Sequence, residues 1–296
     1  MDYKAILKSM WKRSKISFVL LAYSLVVLLT FSFLRLGSNL LAYPSKRMES
    51  KVRTLYRPSK EEFQEIELFA TLTMSVFKAN DAKELENLFK GYDDYVVDEY
   101  REHRYAILRK GKQVIAVMRG SNNAQNWSDG FTSGLVYDDV LDTHVHSGYA
   151  EVSKGVADRL SQYCSADDEI YLTGGSMGGA TATLIGWYLD NRGYNVKRIL
   201  PFANPRVSSG DYGHLPITNV INIHDPVVFL PSFSLFKRYR HQGDNIVYVD
   251  GDWYHYDDSW RTDLLTSAVF LKEKTVVKSH MEYPDRLLEL KSKLGY

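Results

Sequence analysis

The stretch Glu169–Ala180, EIYLTGGSMGGA, constrains the fold of this chain more than any other. Glu169–Thr173 is a short apolar run with β-branched and aromatic residues, the pattern of a buried strand. Gly174, Gly175, Ser176, Met177 and Gly178 then fit Gly-x-Ser-x-Gly, and Ala180–Leu189 continues as an apolar segment long enough for a buried helix. Strand, sharp turn and helix in that order make the pattern a nucleophile elbow. The turn forces Ser176 into a strained backbone conformation, and side chains at Gly174 and Gly178 would collide with the strand or the helix. The helix N-terminus behind Ser176 directs amide N–H groups at a developing oxyanion. The pattern alone arises by chance in about one chain of this length in ten. Its setting between a strand and a helix is what carries the reading.

At 296 residues the chain can hold one large domain and an appendage. Its net charge is +1, with 37 basic against 36 acidic residues, which leaves no electrostatic footprint for nucleic acid. The balance is uneven: Lys4, Lys8, Lys12, Arg13 and Lys15 against Asp2 put the first fifteen residues at +4. Ile16–Leu34 then runs for nineteen residues without a charge. As a helix it would be about 29 Å long, close to the hydrocarbon thickness of a bilayer. The apolar part of a cleaved signal peptide is normally about 7–15 residues, shorter than this one. The expected organisation is a basic cytoplasmic tail (1–15), a transmembrane signal-anchor (16–34), a tether (35–58) and a translocated globular domain (59–296). Secretion after cleavage near Leu40-Leu41-Ala42 is the alternative. The lone Cys164 excludes an intramolecular disulfide and a cysteine-built zinc site, and the four-residue spacing of Val152, Val156 and Leu160 places it in a helix as a bystander.

Ser59-Lys60-Glu61-Glu62 is a capping box, followed at helical period by Phe63, Ile66, Phe69, Ala70, Thr73 and Phe77. Arg104–Leu108 and Gln113–Met118 read as a hairpin about Arg109-Lys110-Gly111-Lys112. Helix (149–163), strand (169–173), helix (177–191) and strand (196–203) alternate, and a strand at Val220–Ile223 leads into His224-Asp225-Pro226. That alternation predicts an α/β architecture with a mainly parallel central sheet flanked by helices.

A serine nucleophile needs a base and a carboxylate to orient it, and here these follow the elbow in the order acid, then histidine. Asp225 closes a strand, so it emerges at the carboxyl edge of the sheet beside Ser176. His241, His255 and His280 are the candidate bases, and residue patterning does not choose among them. His241 lies in the basic run Lys237–His241, His255 alternates like a strand residue, and His280 sits in a late polar loop after an expected helix at 261–272. His144-Val145-His146 puts two histidines on one strand face without a further ligand, so no metal is expected, and no cofactor.

Several segments resemble the class 3 lipase family, the fungal-type triacylglycerol lipases. Val117-Met118-Arg119-Gly120-Ser121 resembles its Phe-Arg-Gly-Ser/Thr strand end, Asn126-Trp127 the Asn/Asp-Trp of its lid, and His146-Ser147-Gly148-Tyr149 its His-x-Gly-Phe. The elbow is similar to Gly-His-Ser-Leu-Gly-Gly-Ala, and Phe202-Ala203-Asn204-Pro205-Arg206-Val207 to Phe-Gly-x-Pro-Arg-Val. His224-Asp225-Pro226-Val227 resembles the acid segment, and Ser279-His280-Met281-Glu282-Tyr283 the C-terminal Asp-His-x-x-Tyr. The resemblances run in family order from about residue 105 to 283. They imply an α/β-hydrolase fold with Ser176 as nucleophile, Asp225 as acid and His280 as base. Ser121 and Met177 would form the oxyanion hole, and Asn122–Phe131 the lid, with Trp127 its other large apolar residue.

Three departures stand out. Gly175 replaces the usual His, Ala203 replaces a Gly, and Ala124, Ser128, Asp129 and Gly130 make the lid polar. The function expected is a membrane-anchored serine lipase or carboxylesterase acting on lipid esters through an acyl-serine intermediate. A phospholipase or lipid acyltransferase on the same site, and an inactive hydrolase-like membrane scaffold, are the alternatives.

Overall fold

The computed structural model describes residues 53–81, 83–120, 134–210, 214–225, 227–230, 233–234, 237–256 and 276–296. The expected transmembrane segment 16–34 with its tail, Ser121, the lid segment with Asn122, Trp127 and Phe131, and the expected helix 261–272 lie outside those residues. Among the described residues no helix is long and apolar enough to cross a membrane.

In chain order the strands are β1 (Arg53–Leu55), β2 (Asp94–Tyr100), β3 (His103–Lys110), β4 (Gln113–Met118), β5 (Leu135–Asp138), β6 (Thr143–His146), β7 (Glu169–Gly175), β8 (Asn195–Phe202), β9 (Thr218–Asn222), β10 (Phe233–Ser234), β11 (Lys237–Arg238), β12 (Asp244–Val249) and β13 (Asp252–Tyr256). The helices are α1 (Lys60–Lys78), α2 (Glu86–Phe89), α3 (Ser147–Tyr163), α4 (Met177–Asn191), α5 (Val276–Met281) and α6 (Tyr283–Leu294).

Nine strands make one sheet in the order β1-β13-β12-β9-β8-β7-β4-β3-β2. From β12 through β9, β8 and β7 to β4 the neighbours are parallel. Each edge is a run of antiparallel pairs: β2, β3 and β4 on one side, β12, β13 and β1 on the other. The sheet is therefore mixed rather than mainly parallel. Tight turns close both edges, and a short turn such as Gly111 at φ +57 permits only antiparallel return. Strand β1 falls within the expected tether, so the sheet takes in chain from residue 53, six residues before the expected start of the domain.

The hydrophobic pattern explains why helices cover both faces. Tyr105 and Ile107 of β3, with Val114, Ala116 and Met118 of β4, pack with α3 and α4. Ala106 and Leu108, with Ile115 and Val117, pack with α1 and α6 on the opposite face. Period-two strands with both faces apolar require a helix layer on each side. Helix α1 begins where its capping box predicts, with the Glu62 N–H donating to Ser59 Oγ at 3.2 Å, and it buries Phe63, Ile66, Phe69, Leu72 and Val76. Removing one such phenylalanine from water is worth about 2–3 kcal/mol. Cys164 is the C-terminal cap of α3 rather than part of the helix. Its thiol is buried and raised to about 11, chiefly by desolvation, as befits an inert side chain.

A polar seam runs between β8 and β9. Asn204 Nδ2 donates to Asn219 Oδ1 at 2.9 Å, and Asn219 Nδ2 donates to the Gln242 carbonyl at 2.7 Å. His241 closes the seam, its Nε2–H donating to the Asn204 carbonyl at 3.0 Å. Burial, reinforced by the Arg206 guanidinium, lowers its pKa to about 3. The unfolded chain therefore takes up a proton near pH 6.5 that the folded chain refuses, and stability present above that pH is lost as pH falls towards 3. We expect this one group to remove about 2 kcal/mol between pH 7 and pH 5. Urea midpoints at the two pH values should converge in His241→Gln; an undiminished pH effect in that variant would refute the assignment.

Candidate active site

Ser176 has φ 56 and ψ −129, a conformation unusual for a residue with a side chain. It is the link between β7 and α4. Its N–H donates to the Phe202 carbonyl at 2.8 Å, and its own carbonyl accepts the first helical bonds, from Gly179 at 3.0 Å and Ala180 at 3.2 Å. Two close approaches enforce the turn. A Cβ on Gly174 would lie 2.5 Å from the Gly178 carbonyl group and 2.7 Å from the Met118 oxygen, and one on Gly178 would run into that same oxygen. The collisions foreseen from sequence are therefore with helix and strand alike. Ser176 itself is half-buried. Met177, one of the two expected oxyanion donors, is buried as the first residue of α4. Gly120, immediately before the other, lies two residues beyond β4, and a Cβ added there would stand 2.8 Å from the Gly175 carbonyl oxygen.

Asp225 follows β9, two strands from β7, and is fully buried. Its Oδ1 accepts from the Val227 N–H at 2.9 Å; its Oδ2 accepts from His280 Nδ1 at 2.7 Å and from the Tyr283 hydroxyl at 2.9 Å. A carboxylate only accepts, so Nδ1 of His280 carries the proton and Nε2 keeps a lone pair. His280 lies in α5 rather than in a loop, with its side chain 11% exposed. The Tyr283 hydroxyl also accepts from the Asn222 N–H at 2.9 Å. Burial, and then the Asp225 charge, push that phenol well above its usual 10, so it remains a donor to the carboxylate. Asn222 Nδ2 holds the Ser279 carbonyl at 3.1 Å, fixing the backbone beside His280 to β9.

The structure separates the three candidate histidines. His241 is sealed in the seam described above. His255 is exposed on β13, the strand next to the β1 edge, its ring 4.8 Å from that of Tyr56. Only His280 of the three is paired with Asp225. His144 and His146 are engaged with tyrosines: rings of His144 and Tyr137 are 5.2 Å apart, and His146 stacks on Tyr149 at 4.2 Å. Asn222 and Tyr283 escaped the sequence reading as members of the site. The signal available for Tyr283 was its His-x-x-Tyr spacing, which places it one turn beyond His280. Ala203, where the resemblance leads one to expect glycine, has φ 52, the left-handed region that glycine adopts without strain.

This geometry agrees with comparisons to known proteins. The class 3 lipase family model matches residues 115–235, which span β4, the elbow and Asp225. A secreted mono- and diacylglycerol lipase from Fusarium solani is 29% identical over 143 residues, covering 44% of this chain and 42% of that protein. The chain thus matches about two fifths of the length of that curated relative. The native propeptide complex of Rhizomucor miehei lipase superposes with a TM-score of 0.56 at 22% identity, covering 78% of this chain and 82% of that one. A triacylglycerol lipase whose catalytic centre is formed by a serine-protease triad gives 0.57 at 22% identity, covering 78% and 97%. At these identities the likeness is one of fold, a mixed sheet between helices. Residues 115–235, with the elbow and the acid segment, are thus similar to the class 3 lipase family, and the fold is similar to that of the superposed lipases.

Proposed function

We propose that the protein is a serine hydrolase of lipid carboxylic esters, with Ser176 as nucleophile, His280 as base and Asp225 as the carboxylate that orients it. The observation that carries this reading is the 2.7 Å His280 Nδ1–Asp225 Oδ2 pair at the sheet edge where the elbow presents Ser176. The proton of Ser176 Oγ passes to His280 Nε2 as Oγ bonds to the ester carbonyl carbon. Backbone N–H groups of Ser121 and Met177 take up the charge on the carbonyl oxygen, each such donor being worth about 3–4 kcal/mol. The carbon–oxygen bond to the alcohol then breaks, and His280 returns the proton to the departing oxygen. Water, deprotonated by the same nitrogen, releases the acid from the acyl-serine. The scheme draws on no cofactor or metal. Tyr283 and the Val227 N–H stabilise the ionised Asp225, so that its charge remains available to the imidazolium that forms.

The similarity to class 3 lipases supports a lipid ester as substrate, and the named activity of the Fusarium solani relative favours partial glycerides. For localisation, the nineteen-residue apolar run 16–34 supports a retained anchor with the domain outside the cytoplasm, whereas the secreted relative favours release. An anchor would hold the site near bilayer lipid and raise the effective substrate concentration.

Fluorophosphonate labelling of Ser176 should be lost in Ser176→Ala and fall by about 10³-fold or more in rate in His280→Ala. Labelling that survives in His280→Ala but vanishes in His255→Ala would overturn the base; a folded, detergent-treated wild type that never labels would favour an inactive scaffold. Product analysis with a lipid alcohol present separates hydrolysis from acyl transfer. N-terminal sequencing of the mature protein is expected to begin upstream of residue 16, and a start near residue 43 would establish release instead.

A further inference from the structure

Helix α1, which the proposed chemistry does not use, brings its C-terminal half beside the elbow at Gly175 and Gly120. Thr73 is buried, and its hydroxyl lies 3.1 Å from that of Thr173. Thr173 gives its single proton to the Leu200 carbonyl at 2.7 Å, so Thr73 is the donor of the pair. That bond fixes the Thr73 rotamer with its methyl over the elbow: a Cβ on Gly175 would stand 3.1 Å from Thr73 Cγ2. One helical turn later comes Phe77, half-buried. A Cβ on Gly120 would be 3.5 Å from Phe77 Cδ2 and 3.5 Å from Ser176 Cβ. The phenyl ring, the Gly120 backbone and Ser176 therefore border one small space. The helix end is pinned there, because Arg104 Nη1 donates to the Ala79 carbonyl at 2.8 Å while the Arg104 carbonyl accepts from the Arg119 N–H at 3.0 Å.

Sheet order decides which part of an ester meets this wall. Ser176 follows β7, with β8 and β9 and hence Asp225 and His280 on one side, and β4 with Gly120 and Phe77 on the other. The alcohol must lie on the histidine side to receive its proton, and the carbonyl oxygen turns to the N–H groups of Ser121 and Met177, so the remaining space, bordered by Phe77, is left for the acyl group. We infer that Phe77, seated by Thr73 against Gly120 and Ser176, is the specificity-determining residue for the acyl group, admitting straight chains and rejecting a branch at the carbon next to the scissile carbonyl. This rests on the esterase reading above. Gly175 belongs to the same device, since a Cβ there would press on the Thr73 methyl and shift it by a few tenths of an ångström.

The test compares p-nitrophenyl butyrate with p-nitrophenyl 2-methylbutyrate in wild type, Phe77→Ala and Phe77→Leu, with fluorophosphonate labelling of Ser176 measured alongside. A methyl group against a packed wall is worth about 10–200-fold in discrimination. We expect the straight-to-branched ratio of kcat/KM to fall about tenfold or more in Phe77→Ala and less in Phe77→Leu, with labelling retained. Retained labelling and an unchanged ratio would overturn the inference and leave the esterase reading intact; a wild type that neither labels nor hydrolyses would overturn the reading itself. Where the Phe77 variants fail to fold, Gly175→Ala decides: it should relax the ratio by pressing on the Thr73 methyl, and Thr73→Ser in the same chain should restore it by removing the opposing methyl. Failure of either effect would sink the role of the α1 wall.

Discussion

Everything at the candidate site depends on one clearance, that between β4, β7 and the start of α4. The Met118 carbonyl oxygen occupies the place of side chains at both Gly174 and Gly178. Backbones that meet without intervening side chains bring the chain after β4, Ser176 and the helix N-terminus to one point. The left-handed turn at Ser176 costs about 1–3 kcal/mol. It is held by the Phe202 carbonyl on one side and by the first bonds of α4 on the other. Larger residues at the two glycines would remove the geometry before they removed the fold, because the helices still cover both faces of the sheet.

The second half of the site is assembled from far along the chain. Asp225 is a buried carboxylate, tolerable only because its charge is matched by donors. The Val227 amide, the Tyr283 hydroxyl and His280 supply them, and they come from the loop after β9, from α6 and from α5. Because the Tyr283 hydroxyl also accepts from the Asn222 N–H, one phenol ties helix α6 to strand β9 and to the carboxylate at once. The bonds that satisfy the buried charge are thus the same bonds that dock the C-terminal helices. Folding of the C-terminal segment and orientation of the base are a single event on this reading.

Legibility from sequence followed the range of the interactions. The elbow, the Ser59 cap of α1 and the hairpin at Gly111 are local, and turn chemistry or periodicity reveals them. The order of strands is not local: β1 reaches the sheet only through β13, about two hundred residues later, so no window of sequence contains the pair. The choice among His241, His255 and His280 was equally hidden. A basic run around His241 reads as surface, yet the fold wraps it in Asn204 and Arg206 and buries it. His255 looked like a strand residue and is one, but on β13, four strands away from β7 and the elbow. Only the tertiary contact with Asp225 singles out His280, which is why family resemblance chose it and patterning did not.

The departure at Gly175 shows how such a non-local constraint can still leave a mark in sequence. Where the family pattern has a histidine, this chain has no side chain, and Thr73 of α1 fills the space with a methyl 3.1 Å from where a Cβ would begin. A histidine there would press on the Thr73 methyl, and the Thr73–Thr173 hydrogen bond and the approach of Phe77 to Gly120 would have to adjust with it. The glycine and the close seat of the helix are one choice made at two places a hundred residues apart. Helix α1, which periodicity describes only as an amphipathic cover for the sheet, is on this argument also a wall of the site. Its buried face is set by the core as far as Val76, and its last turn lies against Gly120 of the candidate site.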